Sequence, residues 1–173
     1  MSEPQLSPIS YADFVHDVIA LADAIDADGW RPDHIVGVGR GGLVPGAYLS
    51  HRTGISLLSV DHSSGVPGFS EDLLAKLAAA TREGTHILLV DDINDSGLTI
   101  DTLRGMFATH GGVTANLRVA VLIENVRSTA RVDYKARTID RADDKRWFVF
   151  PWEAMADRAT LIEEAEEVPE RLA

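Results

Sequence analysis

Four short apolar runs, HIVGVG (34–39), ISLLSV (55–60), HILLV (86–90) and LRVAVLIE (117–124), are separated by stretches of helical periodicity. A strand that is apolar along its length, rather than at alternate positions, must be covered on both faces. Helices between successive strands are what cover a parallel sheet. The order of runs therefore predicts an α/β fold with a parallel central sheet flanked by helices. Over 11–25 the helical face is Phe14, Val18, Leu21, Ala22 and Ile25, with Ser10 placed to cap it and Gly29 and Pro32 to end it. Further helices are expected over 43–54, with Pro45 in the first turn and Gly54 as the stop, over 71–84, and over 99–112 with Leu103, Met106 and Phe107 inward. VDYKARTI (132–139) and RWFVFPW (146–152) read as late strands, and 159–173 as an acidic terminal helix with a solvated face. DHSSGVPGFS (61–70) reads as a mobile loop.

A chain of 173 residues that is 45% hydrophobic is about one domain in size, so residues 1–173 are expected to form a single domain. A net charge of −11 disfavours broad binding to nucleic acid or anionic membrane, which such a surface repels, though a local cationic pocket stays compatible with it. The chain has no cysteine, hence no disulfide framework, no thiolate metal site and no thiol nucleophile. Its six histidines are scattered without metal-ligand spacing, which argues against zinc. No apolar run approaches the roughly 20 residues of a membrane span, and MSEPQLSPIS lacks the pattern of a secretory leader. A soluble, cytoplasmic enzyme is the expectation.

The stretch IVGVGRGGLVPG (35–46) spells G-x-G-x-x-G with Gly37, Gly39 and Gly42. It follows a strand and precedes a helix. Asp61 ends the next strand, about 20 residues on, where a dinucleotide site places its ribose-binding acid. Arg40 and Pro45 fit that reading poorly, because one puts a large cation in the turn and the other shortens the helix. A turn made glycine-rich for tight packing alone is the plain alternative.

HILLVDDINDSGLTI (86–100) is more informative. A buried strand delivers two carboxylates, Asp91 and Asp92, to its carboxyl end, where they can accept hydrogen bonds from a sugar diol or help place a hydrated magnesium ion. Beyond them, the backbone N–H groups of residues 96–99, the hydroxyls of Ser96 and Thr99 and a helix N-terminus make a cradle for phosphate. A diol site beside a phosphate site suits ribose 5-phosphate. Helix capping by itself would need one such residue, and this segment supplies five.

VDDINDSGLT resembles the phosphoribosyl diphosphate motif of type I phosphoribosyltransferases, with Ser96 in place of the usual threonine and Leu98 in place of a frequent lysine or asparagine. VGRGGLVPGAYLSHRTG resembles that family's diphosphate loop, and RWFVFPWE the base-binding segment of the bacterial xanthine-guanine and hypoxanthine enzymes. The resemblance implies a core sheet with a small C-terminal hood. It also implies transfer of the 5-phosphoribosyl group to a nucleobase, most simply a 6-oxopurine, in purine salvage. Mg²⁺ would be the cofactor, phosphoribosyl diphosphate and a base the ligands, and a homo-oligomer the assembly.

By the same resemblance, Arg40, Gly41 and Gly42 would hold the leaving diphosphate, with a strained or cis peptide entering Arg40. Asp91 and Asp92 would hold the ribose hydroxyls, directly or through the metal. Ser96, Gly97, Leu98 and Thr99 would take the 5-phosphate. Asp95 would sit beside the purine N7 and share its proton, Trp147 would stack on the base, and the backbone of Phe148 would read its edge. Two departures stand out. The family's lysine for the 6-oxo group falls on Glu124, unless Arg127, Arg131 or Lys135 serves instead. The loop at 61–70 offers Ser63 and Ser64 but no tyrosine for a lid. A regulator that senses phosphoribosyl diphosphate or a nucleotide without catalysis, and a transferase for a different base, are the alternatives.

Overall fold

The structure, a computed structural model, describes residues 4–61 and 69–166. The expected loop at 61–70, with Ser63 and Ser64, and the tail beyond 166 lie largely outside the described residues.

A five-stranded, wholly parallel sheet is formed by β2 (His34–Val38), β3 (Ser56–Val60), β4 (Ile87–Asn94), β5 (Leu117–Asn125) and β6 (Tyr134–Ile139), in the order β3-β2-β4-β5-β6. Helices α1 (Tyr11–Asp28), α2 (Gly39–Thr53), α3 (Phe69–Arg82) and α4 (Leu98–Thr109) cover it. A separate two-stranded sheet joins β1 (Leu6–Pro8) to β7 (Trp147–Val149), so the expected C-terminal hood also draws in the N-terminal segment. A 3₁₀ turn at Pro151–Met155 and helix α5 (Arg158–Glu166) follow.

The central strands β2, β4 and β5 are buried on both faces, as their uniform apolarity requires, whereas the edge strands β3 and β6 keep exposed positions. Ile35, Leu88, Val90, Ala120 and Leu122 pack against Phe14, Leu21, Ile25 and Leu49 of α1 and α2. Their neighbours Val36, Leu89, Val119 and Val121 pack against Leu74 and Leu77 of α3 and Ile100, Leu103 and Phe107 of α4. Ser10 caps α1, its hydroxyl accepting the Asp13 N–H at 3.0 Å, and Gly29 ends the helix at φ 72°.

The late strand read over 146–152 stops at Val149, because Pro151 opens a 3₁₀ turn, and two other boundaries that shape the site also differ from the sequence reading. Helix α2 begins at Gly39, not near residue 43, so Arg40, Gly41 and Gly42 form its first turn and Pro45 lies inside it. Proline lacks the N–H that would bond to the carbonyl one turn back, but its fixed φ still allows the helix to continue. Strand β4 continues past Val90 to Asn94, because β5 offers it a ladder as far as Glu124.

Candidate active site

The chain runs from β2 to β3 on one side and then crosses to β4 on the other, so the strand order reverses between β2 and β4. Ligands of open parallel sheets sit at such a switch, outside the carboxyl ends of the strands. The register shows how the cleft arises here. β2 pairs with β4 only up to Gly37↔Val90, and β2 then turns into α2. Asp91 keeps β5 on one side, opposite Val121, and neither it nor Asp92 has a β2 partner on the other.

Into that gap comes the first turn of α2. A methyl group at Gly42 would overlap the carbonyl oxygen of Val90, and one at Gly41 would overlap the Asp92 carboxylate. The two glycines thus let the helix N-terminus press directly on the end of β4. Gly39 enters the helix at φ 54°. No cis peptide occurs among the described residues, so of the strained and cis forms expected for the peptide entering Arg40 the cis one is not found.

The result is a cavity of about 470 Å³ lined by Arg40 and Gly41 from α2, Asp91 and Asp92 from β4, Thr99 from α4, and Trp152, Glu153 and Glu164 from the C-terminal segment. Trp152 is fixed over it by stacking on Phe150 (4.7 Å, 10°) and by an edge contact with Phe14 (5.3 Å). Asp91 Oδ1 accepts the Asp92 N–H at 3.0 Å, and Asp92 Oδ1 accepts the Ile93 N–H at 2.7 Å. Burial, and then the charge of Asp92, hold the Asp91 carboxyl well above the usual carboxylate range. Burial pushes Asp92 up to about 6. Glu153, which accepts the Phe150 N–H at 2.7 Å, is raised to about 7 by burial and by the charges of Asp92 and Glu164. Three such carboxyls along one wall suit a ligand that brings a cation with it. Arg40 is 83% exposed, and its guanidinium lies 3.9 Å from Glu164.

At the far end of the cleft, Gly97 caps α4 at φ 96°, and Ser96 Oγ accepts the Leu98 N–H at 3.1 Å. The Ser96 carbonyl accepts both the N–H and the hydroxyl of Thr129, which brace the turn. Leu98 points outward, 72% exposed.

The remaining candidates stand apart from this cavity. Asp95 is gripped by the buried Arg141. Glu124 is buried and ion-paired to Lys135. Trp147 lies in β7 opposite Leu6, and Phe148 lines a second cavity of about 380 Å³ together with Ile123, Arg137 and Arg146. Sequence reasoning singles out neither Glu153 and Glu164 nor Arg141. Glu164 reads as part of a solvated acidic face, and nothing local in RTIDRADDKR marks Arg141.

The fold resembles that of a purine phosphoribosyltransferase from Pyrococcus horikoshii (24% identity, 86% of this chain and 94% of that one, TM-score 0.62). It also resembles the Helicobacter pylori xanthine-guanine-hypoxanthine phosphoribosyltransferase (20% identity, the same shares, 0.64). A hypothetical protein of Neisseria gonorrhoeae with bound ppGpp matches over 100% of this chain and 99% of its own (21% identity, 0.67). At these identities the likeness is one of fold. The model of the phosphoribosyl transferase domain matches residues 10–158, most of the length, and with the cleft described above it places this chain in the phosphoribosyl transferase family.

Proposed function

We propose that this phosphoribosyltransferase, working as one domain over residues 1–173 in the cytoplasm, transfers the 5-phosphoribosyl group of phosphoribosyl diphosphate to a 6-oxopurine in purine salvage. Xanthine, guanine or hypoxanthine would be the base, and diphosphate the product released. The observation that carries the reading is the meeting of Arg40, Gly41, Asp91, Asp92 and Thr99 on one cavity at the switch point of the sheet.

Transfer lengthens the bond from the anomeric carbon to diphosphate, so catalysis is mainly positioning and neutralisation of the leaving group. The Arg40 guanidinium and the N–H groups of Gly41 and Gly42 hold the diphosphate. The carboxylates of Asp91 and Asp92 hold the ribose hydroxyls. The backbone of Ser96, Gly97, Leu98 and Thr99, with the hydroxyls of Ser96 and Thr99, takes the 5-phosphate at the N-terminus of α4.

Magnesium fits this donor set. The two adjacent carboxylates are hard oxygen donors, and no group of three His, Asp or Glu side chains able to cage a metal occurs among the described residues. An ion that keeps several waters and takes its other ligands from substrate phosphates suits such a site, with Asp91 and Asp92 as its protein ligands. When bound, it would offset the negative charge gathering on the diphosphate.

Asp95 faces N7 of the base, Trp147 stacks on it and the backbone of Phe148 reads its edge. Lys135 puts an ammonium beside Glu124, which supports a donor for a 6-oxo group near the position where the family lysine is missing. The test is incubation with Mg²⁺, phosphoribosyl diphosphate and a panel of free bases, following diphosphate and nucleotide. Release with a 6-oxopurine is expected, and release with none of the bases overturns the reading. A second reading, a regulator that binds a guanine nucleotide, is supported by the likeness to the ppGpp-bound protein over the full chain. Tight nucleotide binding without turnover would favour it.

A further inference from the structure

We propose that Arg141 is a positioning residue for the transfer: it fixes the Asp95 carboxylate in one orientation and acts on the incoming base only through it. The proposal rests on the reading that Asp95 faces the base.

Arg141 belongs to the segment between β6 and β7 and is 2% exposed. Its Nε donates to both Asp95 oxygens, at 2.9 and 3.0 Å, and its Nη2 donates to Oδ2 at 2.6 Å. The fork is held from behind, because Nη1 donates to the carbonyls of Asp144 (3.1 Å) and Arg146 (2.7 Å). A second arm comes from β5. Asn125 Oδ1 accepts the Arg141 N–H at 3.2 Å, and its Nδ2 donates to the Asp95 carbonyl at 3.0 Å. Arg141 therefore holds the side chain of Asp95 while Asn125, itself bonded to Arg141, holds its main chain.

The nearby Arg146 pairs with Asp144 of its own segment and Arg127 with Asp140 across β6, whereas Arg141 reaches 46 positions back to Asp95. A buried ion pair often stabilises a fold no more than apolar packing would, so its yield is better sought in orientation. A carboxylate offers about four lone-pair sites, and the guanidinium fork occupies those on one side. The others are left pointing in a fixed direction. Lysine would keep the charge of Arg141 and lose the fork.

The test compares Arg141→Lys, Arg141→Gln, Asp95→Asn and the Arg141→Lys/Asp95→Asn double variant for kcat, for KM of phosphoribosyl diphosphate and of base, and for thermal unfolding. Arg141→Lys is expected to lower kcat by roughly tenfold to a hundredfold, the range a misplaced group costs. The KM of phosphoribosyl diphosphate should stay within about twofold, and Arg141→Lys should add nothing once Asp95 is asparagine. Losses that multiply in the double variant, equal weakening of both substrates, or collapse of the fold in Arg141→Lys would each overturn the proposal. Should the wild-type protein turn over no base, the transfer reading fails on that result alone. Binding then decides Arg141: GMP affinity must fall in Arg141→Lys while ribose 5-phosphate affinity holds, and parallel behaviour of the two ligands refutes it.

Discussion

The cavity between α2 and β4 and the cluster of paired charges that includes Asp95 are built by opposite means. The first is made from backbone and neighbours in sequence. Two glycines let a helix end press on a strand end, and two adjacent carboxylates follow from that strand. The second is made from charges paired across the chain, Asp95 with Arg141 and Glu124 with Lys135. A site fixed by main-chain contact tolerates no added atom, whereas a site fixed by paired side chains can change its specificity by changing one partner. That contrast agrees with a cavity formed from the family's motifs beside paired charges, Glu124 among them, that depart from them.

Gly42→Val is the substitution that should break the first region most completely. Its side chain would meet the Val90 carbonyl, which is backbone in the middle of the sheet and cannot swing away. A loss of about 3 kcal/mol in denaturant unfolding is expected. Phosphoribosyl diphosphate binding should vanish in whatever protein stays folded. Near-native stability with intact binding would show that α2 does not lie against β4 as described.

The same contrast explains what the sequence discloses. The apolar runs predict the parallel sheet because its central strands β2, β4 and β5 are buried on both faces. The VDDINDSGLT segment is legible because its chemistry lies within ten consecutive residues. The start of α2 is not, because Pro45 looks like a first-turn proline until Gly39 and its positive φ set the turn four residues earlier. Arg141 and Glu164 are invisible for another reason. Each matters only through a partner, Asp95 or Arg40, that folding brings near from a distant part of the chain.

Two tryptophans sharpen the comparison next. Trp152 lines the first cavity and is anchored by Phe150 and Phe14, while Trp147 sits in β7. If Trp147 is the stacking platform, Trp147→Ala should weaken base binding by about 1–3 kcal/mol and leave phosphoribosyl diphosphate affinity alone. Trp152→Ala should do the reverse. Calorimetric titration of each ligand separates them, and unchanged base affinity in Trp147→Ala retires its role.

A smaller effect is expected from pH. The folded protein holds the protons of Asp92 up to about 6, of Glu153 up to about 7, and of Asp91 higher than usual, in each case chiefly through burial. In the unfolded chain such carboxyls ionise near 4. Above that pH the folded state binds more protons than the unfolded chain, so stability falls as pH rises from about 4 through about 7. The melting temperature should be lower at pH 8 than at pH 5 by on the order of 5 °C. General repulsion in an acidic chain has the same sign, so the discriminating measurement is Asp92→Asn, which should flatten the slope. An unchanged slope would mean that these carboxyls are not the cause.

The smallest effect concerns the ion pair that α5 makes with Arg40. The domain match ends at residue 158, where α5 begins, and Glu164 of that helix lies on the cavity wall 3.9 Å from the guanidinium. If Arg40 grips diphosphate, an anionic ligand must compete with the Glu164 carboxylate for it. Arg40 is 83% exposed, so the pair is screened and worth at most about 1 kcal/mol. Glu164→Gln should therefore tighten phosphoribosyl diphosphate binding by about two- to fivefold, with the gain shrinking as salt rises. Weaker binding in the variant would instead make Glu164 a holder of the cation that accompanies the ligand, and would move α5 from competitor to part of the site.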